Sequence, residues 1–315
     1  MAFELPKIQY NGTIKEIPLG KEEHPVIVGG QTCYPFYLFE GEMPRSPIIA
    51  MDVYDAAPEE WPEALLTHFA DVLNDSVAWA KKCVNDYGAD MVALQLASTD
   101  PNAQDSPAEQ AVEVTKKVVA AVDVPVIVWG SGNVEKDSSV LKMVAEQCAG
   151  ESLILGPVEE SSYKALGAAA IAYQHTVAAS TPIDINLAKQ LNILLGNLGV
   201  PDERILVDPT VASLGYGLEY SYSVIERDRM AALTQEDERL QFPIVCNLAK
   251  EVWKIKEAKI AEQEAPKLGD PSKRGVLLEA MTASLFLLAG ADILIMRHPE
   301  AIQLVRWFVG ELMAD

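Results

Sequence analysis

Residues 48–53 read IIAMDV, a short run of apolar side chains interrupted by one carboxylate. Seven comparable runs follow along the chain, and a longer amphipathic stretch separates each run from the next. Near-continuous apolarity over so few residues is typical of parallel strands that are buried on both faces. We therefore predict eight strands, at Ile48–Val53, Met91–Ala97, Val126–Trp129, Leu153–Gly156, Ala168–Tyr173, Ile205–Asp208, Ile244–Asn247 and Ile293–Met296.

The stretches between these runs carry helical patterns. In residues 62–86, apolar side chains recur every three to four positions, as on one face of a helix. Ser106 and Pro107 predict the N-cap and first turn of a helix that runs to Val122. Residues 217–241 and 251–267 are predicted to be polar or charged insertions. Further helices are predicted at Lys136–Ala149, Asp184–Leu198, Pro271–Leu288 and Pro299–Met313.

Eight alternating strand and helix units predict an α/β fold, a TIM (β/α)8 barrel, over residues 48–315. An open doubly wound sheet is disfavoured because the chain has no GxGxxG turn, and it has no Walker-type phosphate loop. Residues 1–47 precede the first strand. We interpret them as an N-terminal extension packed on the barrel or on a partner, since their aromatic segment Cys33–Phe39 is too short to fold alone.

The charge balance bears on the class of partner. The chain has 25 Lys and Arg against 46 Asp and Glu, a net charge of −21. Such an acidic surface repels phosphate backbones and anionic lipid, which argues against nucleic acid and membranes as partners. Its apolar runs are too short to span a bilayer, and its N-terminus lacks the features of a secretory signal. We therefore expect a cytoplasmic protein.

The four cysteines are Cys33, Cys83, Cys148 and Cys246, and no two of them are close in sequence. Zinc sites and iron-sulfur clusters are usually signalled by closely spaced pairs such as CxxC. The spacing therefore predicts no metal site, and buried reduced thiols are the expected state.

In a TIM barrel the functional face lies where the strands end. The residues at and after these ends are mostly neutral and polar, and we predict that they bind a cofactor rather than catalyse a reaction. Structural alternatives remain for three residues at these ends: His175 as a hydrogen-bonded wall residue, Asp208 as a cap of the next turn, and Trp129 as core. The predicted cofactor-binding residues are Asp52, Gln95, Ser98, Thr99, Trp129, Ser131, Asn133, Gln174, Asp208, Thr210, Asn247 and Arg297.

This set of side chains disfavours several enzyme classes. A metallohydrolase would need several His and carboxylate ligands that converge at the strand ends, and only two histidines, His175 and His298, follow predicted strands. No predicted strand ends in a lysine for Schiff-base chemistry, and no GxSxG elbow occurs. A mouth of amides and hydroxyls suits a large ligand with amide arms, such as a corrinoid, and also a pterin. The residues by themselves leave both ligands open.

Several segments of the chain resemble one known family, the small subunit of corrinoid/iron-sulfur proteins, which is called delta in the acetyl-CoA decarbonylase/synthase complex. The resemblance covers nearly the whole chain. It is carried by residues 29–44 (GGQTCYPFYLFEGEMP), 47–55 (PIIAMDVYD), 94–101 (LQLASTDP) and 130–133 (GSGN), and by Asp208-Pro209-Thr210 with Gly215-Tyr216-Gly217.

This resemblance implies a barrel related to pterin-binding methyltransferases. It implies a heterodimer with a large subunit that carries a [4Fe-4S] cluster, with a corrinoid held at the interface between the two subunits. The corrinoid cobalt would take a methyl group from methyltetrahydrofolate through a separate methyltransferase. It would deliver that group to CO dehydrogenase/acetyl-CoA synthase in the reductive acetyl-CoA (Wood-Ljungdahl) pathway of carbon fixation. The alternative is a stand-alone pterin-dependent methyltransferase in which Asp52, Asn133 and Asp208 hold the pterin ring.

Overall fold

The structure, a computed structural model, describes residues 5–314. Eight parallel strands pair in sequence order around a barrel, and the last strand closes the ring between the first and the seventh. A parallel bridge between Val207 and Ile244 joins the sixth strand to the seventh. The predicted TIM (β/α)8 barrel is confirmed. Its strands are β3 (Ile48–Tyr54), β4 (Met91–Gln95), β5 (Val126–Trp129), β6 (Ile154–Val158), β7 (Thr176–Ser180), β8 (Ile205–Asp208), β9 (Val245–Asn247) and β10 (Ile293–Met296), and a hairpin of β1 (Ile17–Leu19) and β2 (Val26–Val28) precedes them.

Helices cover the outside of the barrel and bury their apolar faces against the strands. Short 3-10 turns at Ala97–Thr99, Asp202–Arg204 and Pro266–Leu268 complete the secondary structure described here. The helices are α1 (Glu63–Phe69), α2 (Ser76–Asn85), α3 (Ala108–Val119), α4 (Val134–Gln147), α5 (Tyr163–Tyr173), α6 (Ile185–Leu198), α7 (Leu218–Thr234), α8 (Leu248–Val252), α9 (Lys256–Lys259), α10 (Pro271–Ala289) and α11 (Pro299–Met313).

The prediction of the fifth barrel strand at Ala168–Tyr173 is wrong. These residues form the second half of α5, and the strand is Thr176–Ser180. Alanine is the strongest helix former, so a run rich in alanine favours a helix even when it is as short and apolar as a buried strand. Gln174 ends α5 with a left-handed backbone (φ 63°) and turns the chain into β7.

Three helix predictions also need correction. Residues 62–86 form two helices, because α1 ends at Phe69 and Asp75 caps a new helix, α2. Ser106 is not an N-cap, since α3 begins at Ala108 after Pro107. The polar segment 217–241 contains the 17-residue helix α7. The sequence of α7 does not look like a packed helix because α7 buries charged side chains. Arg229, for example, is buried and pairs with Asp292 at 2.6 Å.

Residues before β3 close the amino-terminal end of the barrel. Ile17 and Leu19 of β1 and Val28 of β2 are buried in the cluster that fills the barrel interior, together with Ala50 and Ile293. Just beyond the hairpin, the Gln31 amide donates to Asp292 Oδ1 at 2.6 Å, immediately before β10. The hairpin is therefore packed into the barrel core, and the opposite end, where the strands finish, stays open to ligands.

Candidate functional site

The carboxyl ends of the barrel strands meet at one face, which we call the mouth. Gln95, Trp129, Asp208 and Asn247 are the last residues of β4, β5, β8 and β9. Asp52 lies near the end of β3 and Arg297 follows β10. The structure thus brings these six predicted residues to one end of the barrel.

The mouth contains an open cleft of about 170 Å³. Its wall combines the Trp129 ring with short aliphatic groups, and polar side chains enter from the ends of β7, β8 and β9. Such a mixture of apolar surface and a few convergent polar groups is typical of small-molecule sites. The lining residues are Trp129, Pro157, Glu159, Ser180, Asp208, Thr210, Val211, Ala212, Asn247, Lys250 and Glu251.

Asp208 is the most perturbed carboxyl group of the cleft. It is 3% exposed and accepts hydrogen bonds from Ser180 Oγ (2.7 Å) and from the backbone N–H of Thr210 (3.0 Å). Burial raises the pKa of Asp208 to about 7, the two hydrogen bonds oppose this, and the nearby charge of Glu159 adds to it. Near neutral pH this group can therefore serve as a hydrogen-bond donor or as an acceptor.

The turn after Asp208 is strained. Thr210 has a positive φ of 50°, in the left-handed region that β-branched residues strongly avoid. Its N–H donates to Asp208, so the expected role of Asp208 in capping this turn is confirmed. Strained backbone of this kind costs about 1–3 kcal/mol and tends to occur at ligand sites. It therefore supports a ligand site on this side of the mouth.

We expect Asp208→Asn to change how stability depends on pH. The folded-state pKa of about 7 lies above the value of 3.8 for an exposed aspartate, so the proton on Asp208 stabilises the fold fully below pH 4. That stabilisation is lost as the pH rises to about 7. The asparagine variant lacks this loss, so its stability relative to wild type should increase by about 2–4 kcal/mol between pH 4 and 8. Urea denaturation across this range measures the difference, and a difference that stays constant with pH would contradict the assignment.

Asp52 and Arg297 form an ion pair at the other side of the mouth. Arg297 Nη2 lies 2.6 Å from Asp52 Oδ2, and both side chains are almost completely buried. The guanidinium also donates to Tyr54 Oη at 2.6 Å and lies over the Trp61 ring, 4.7 Å from its centroid. Burial lowers the pKa of Arg297, but the nearby Asp52, Tyr54 and Glu279 together outweigh it, and the net shift is upward. The pair satisfies itself, which leaves little capacity for a ligand.

A buried carboxylate on α10 fixes the loop that carries Arg297. Glu279 accepts from the backbone N–H of Arg297 (2.5 Å) and of His298 (3.1 Å), and from Trp253 Nε1 (2.8 Å). These bonds tie the segment after α8 to the end of β10. No sequence pattern pointed to Glu279, because it lies in a helix rather than at a strand end.

Four predicted residues lie in the loops of the mouth and bond mainly within those loops. Ser98 Oγ donates to Asp55 at 2.5 Å, and Thr99 Oγ1 donates to the Leu96 carbonyl. Ser131 bonds to Asp137, and Asn133 accepts from Lys136 N as the N-cap of α4. Their observed roles are to shape the loops around the cleft.

Gln174 does not lie at the mouth. It is the C-cap residue of α5, just before β7 begins. This position lies at the amino-terminal end of the barrel, opposite the mouth. Its neighbour His175 is fully buried, accepts from Leu153 N through Nδ1 (3.1 Å) and pairs with the Ala145 carbonyl through Nε2 (2.9 Å). The interpretation of His175 as a wall residue is therefore confirmed.

Sequence reasoning missed four polar residues of the cleft: Ser180, Glu159, Lys250 and Glu251. Ser180 ends the true fifth strand and bonds to Asp208, and Glu159 follows β6. Lys250 lies on α8, one turn beyond Asn247, with its amine 3.4 Å from the Ser131 carbonyl. Burial lowers the pKa of Lys250, and the charge of Lys254 lowers it further. A correct assignment of β7 would have found Ser180, whereas Glu159 and Lys250 enter from beyond the strand ends.

The comparisons with known proteins identify the family. The family described as CO dehydrogenase/acetyl-CoA synthase delta subunit matches residues 16–308. The chain belongs to this family. The delta subunit of the acetyl-CoA decarbonylase/synthase complex from Archaeoglobus fulgidus is 39% identical, over 96% of this chain and 69% of that protein. The delta subunit from Methanothermobacter thermautotrophicus is 36% identical, over 96% of this chain and 77% of its own length.

Solved structures similar to this delta-family chain are pterin-related barrels. Dihydropteroate synthase from Vibrio fischeri superposes with a TM-score of 0.60 over 95% of this chain and 99% of that chain, at 12% identity. The enzyme from Coxiella burnetii, solved with pteroic acid, gives 0.58 over 95% and 100% of the two chains, also at 12% identity. At this level of identity the likeness concerns the fold alone.

The delta-family chain buries all four cysteines. Burial raises the pKa of the Cys33 and Cys148 thiols to about 11, with Glu40 adding to the shift at Cys33. Within residues 5–314, no group of three or more His, Cys, Asp or Glu side chains is placed to hold a metal ion. In the same range, no helix combines the length and apolar character needed to cross a membrane.

Proposed function

We propose that this chain is the small subunit of a corrinoid/iron-sulfur methyl carrier and that its barrel mouth covers a corrinoid held against a large partner subunit. In this proposal the partner carries the [4Fe-4S] cluster, a separate methyltransferase supplies the methyl group from methyltetrahydrofolate, and CO dehydrogenase/acetyl-CoA synthase receives it. Membership of the delta family supports the complex as its setting.

The observation that carries the proposal is the chemistry of the cleft. Asn247 and Ser180 line the cleft with neutral polar groups, and the Gln95 amide contacts Asn247. Trp129 belongs mainly to the core, as its structural alternative predicted, and its remaining 6% exposed surface adds an apolar patch to the cleft wall. Corrinoids present the same combination, with carboxamide arms around the edge and apolar faces on the macrocycle. The macrocycle is larger than a cleft of about 170 Å³, so it would lie across the mouth with its edge groups entering.

When bound, the corrinoid cobalt accepts and releases the methyl group. The residues of this chain would bind the edge of the ring, keep water from its face and allow it to separate from the mouth for transfer. None of these tasks requires a proton to move. The carboxyl group of Asp208, which can donate or accept near pH 7, would hold one edge group.

A variant that fills the cleft tests the proposal. Ala212 is exposed and lines the cleft, so Ala212→Trp should obstruct the ligand without disturbing the core. We expect corrinoid retention by the complex of this chain with its large subunit to fall at least tenfold, which corresponds to about 1.4 kcal/mol. Visible absorbance and cobalt content measure retention.

The matched control for this experiment is Ala149→Trp. Ala149 is equally exposed but follows α4 at the other end of the barrel, so retention should stay at the wild-type level. If both variants retain the corrinoid equally well, the cleft does not contact it and the proposal fails.

A stand-alone pterin-dependent methyltransferase is the second candidate. The buried Asp208 favours it, because a carboxyl group at a barrel mouth can pair with the edge of a pterin ring, and dihydropteroate synthases share this fold. Two observations weigh against the predicted pterin site of Asp52, Asn133 and Asp208. Asp52 is paired with Arg297, and the Asn133 side chain caps α4. Binding of methyltetrahydrofolate to the isolated chain would favour this candidate.

A further inference from the structure

Two buried amides at the mouth leave hydrogen-bonding capacity unused. Gln95 is 3% exposed and Asn247 is 7% exposed, and they contact each other across the end of the barrel. Asn247 Nδ2 lies 3.5 Å from Gln95 Oε1, at the long limit for a hydrogen bond. Gln95 Nε2 and Asn247 Oδ1 have no hydrogen-bond partner among residues 5–314. One donor and one acceptor of this contacting pair are therefore buried without a bond.

This pattern does not depend on how the two amides are oriented. If both side chains are turned by 180° about their last bond, Gln95 Nε2 faces Asn247 Oδ1, and a carbonyl oxygen and an NH2 group are again left over. Buried polar groups in folded proteins are nearly always satisfied, so an unsatisfied donor beside an unsatisfied acceptor calls for an explanation. The position of Asn247 in the wall of the cleft supplies one.

We infer that Gln95 and Asn247 together form a binding site for the edge of an amide. A carboxamide or a cyclic lactam presents a C=O and an N–H on the same side, and two such edges pair through two hydrogen bonds. The ligand C=O would accept from one side-chain NH2, and the ligand N–H would donate to the other side-chain carbonyl. Gln95 does not line the cleft in the structure, so this contact requires Asn247, which does line it, to turn into the cleft. That movement breaks only the 3.5 Å contact with Gln95 and would open the Gln95 amide to the ligand.

Two ligands carry this edge. A corrinoid carries it on its peripheral acetamide and propionamide arms, and a pterin carries it on the lactam of its pyrimidine ring. The corrinoid source rests on the proposed function, and the pterin source does not. Trp129 pairs in register with Gln95 and lines the same cleft as Asn247, so the small exposed part of its ring lies beside the amides for either ligand.

The site predicts opposite effects on stability and on binding. The double variant Gln95→Met, Asn247→Leu replaces both amides by apolar groups of similar size, and removal of two poorly satisfied partners together is close to neutral or stabilising. We therefore expect an unchanged or higher Tm together with at least tenfold weaker ligand binding. A pair that served only to hold the strands together would lose stability instead. Gln303→Met, which removes an exposed amide on α11, is the matched control and should change neither quantity.

Binding is measured on the complex of the full chain with its large subunit. The probes are cyanocobalamin, its b-, d- and e-monocarboxylic acids, and tetrahydrofolate. If the amide comes from a corrinoid, wild type should bind one of the three acids at least tenfold more weakly than cyanocobalamin, because the acid lacks the N–H. The double variant should bind that acid and cyanocobalamin equally. If the amide comes from a pterin, only tetrahydrofolate binding should fall in the double variant.

The outcomes separate this inference from the proposed function. The amide site is overturned if wild type binds cyanocobalamin and the double variant binds every probe as tightly as wild type does. The methyl-carrier proposal would still stand in that case. Wild type that binds tetrahydrofolate but no corrinoid overturns the methyl-carrier proposal and, if the double variant loses the pterin, supports the amide site. Wild type that binds no probe overturns both.

Discussion

Replacement of Arg297 by leucine is expected to lower the free energy of unfolding at pH 7 by about 3–5 kcal/mol. The variant leaves the Asp52 carboxylate, 1% exposed, without the cation that lies 2.6 Å away in the wild type. An unpaired charge in the interior is costly because the charged form cannot be solvated. The contacts of the guanidinium with the Tyr54 hydroxyl and the Trp61 ring are lost as well.

The loss in Arg297→Leu should depend on pH in a defined direction. Burial raises the pKa of Asp52, and in the wild type Arg297 opposes that shift. Without Arg297 the folded-state pKa rises further above the unfolded value. The stability that comes from protonated Asp52 is then present at low pH and lost as the pH rises. The variant should therefore be less impaired at pH 4 than at pH 7, and urea denaturation at both values measures this.

Two further variants control the interpretation of Arg297. The double variant Asp52→Leu, Arg297→Leu should recover much of the lost stability, because apolar replacements of a whole buried pair are often neutral. Lys117→Ala, which removes one member of an exposed pair with Glu113, should have no measurable effect. Were Arg297→Leu as stable as wild type at pH 7, the ion pair would not have the structural role assigned to it.

The second large effect is expected at the amino-terminal hairpin. Leu19→Ala should lower the free energy of unfolding by about 2–5 kcal/mol, because Leu19 is fully buried in the barrel interior and its removal leaves a cavity. Ile17, also fully buried there, should give a similar loss when replaced by alanine. Since domains of this kind are stable by about 5–15 kcal/mol, the double variant should lose a large part of its stability.

The matched control for the hairpin is Leu5→Ala. Leu5 is 59% exposed, so the same chemical change should alter the free energy of unfolding by no more than about 0.5 kcal/mol. Circular dichroism during heating or urea titration measures all of these variants. If Leu19→Ala melts like wild type, the hairpin does not close the barrel in solution.

The sequence located most of the mouth, because parallel strands buried on both faces end where the apolar run ends. For Gln95, Trp129, Asp208 and Asn247 this rule gave the correct position. It failed at Gln174, because an alanine-rich helix and a buried strand can have the same short apolar run. That one error moved a predicted site residue to the opposite face of the barrel and concealed Ser180.

The sequence alone thus determined the fold class, seven of the eight strand positions and the family resemblance, since periodicity and local motifs are properties of neighbouring residues. Only the tertiary structure decided which polar groups are free. Asp52 lies 245 positions from Arg297, and Gln95 lies 152 positions from Asn247. The first pair satisfies itself, and the second leaves a donor and an acceptor unpaired. Such differences depend on distances and burial between remote parts of the chain, which closure of the barrel fixes and local sequence does not encode.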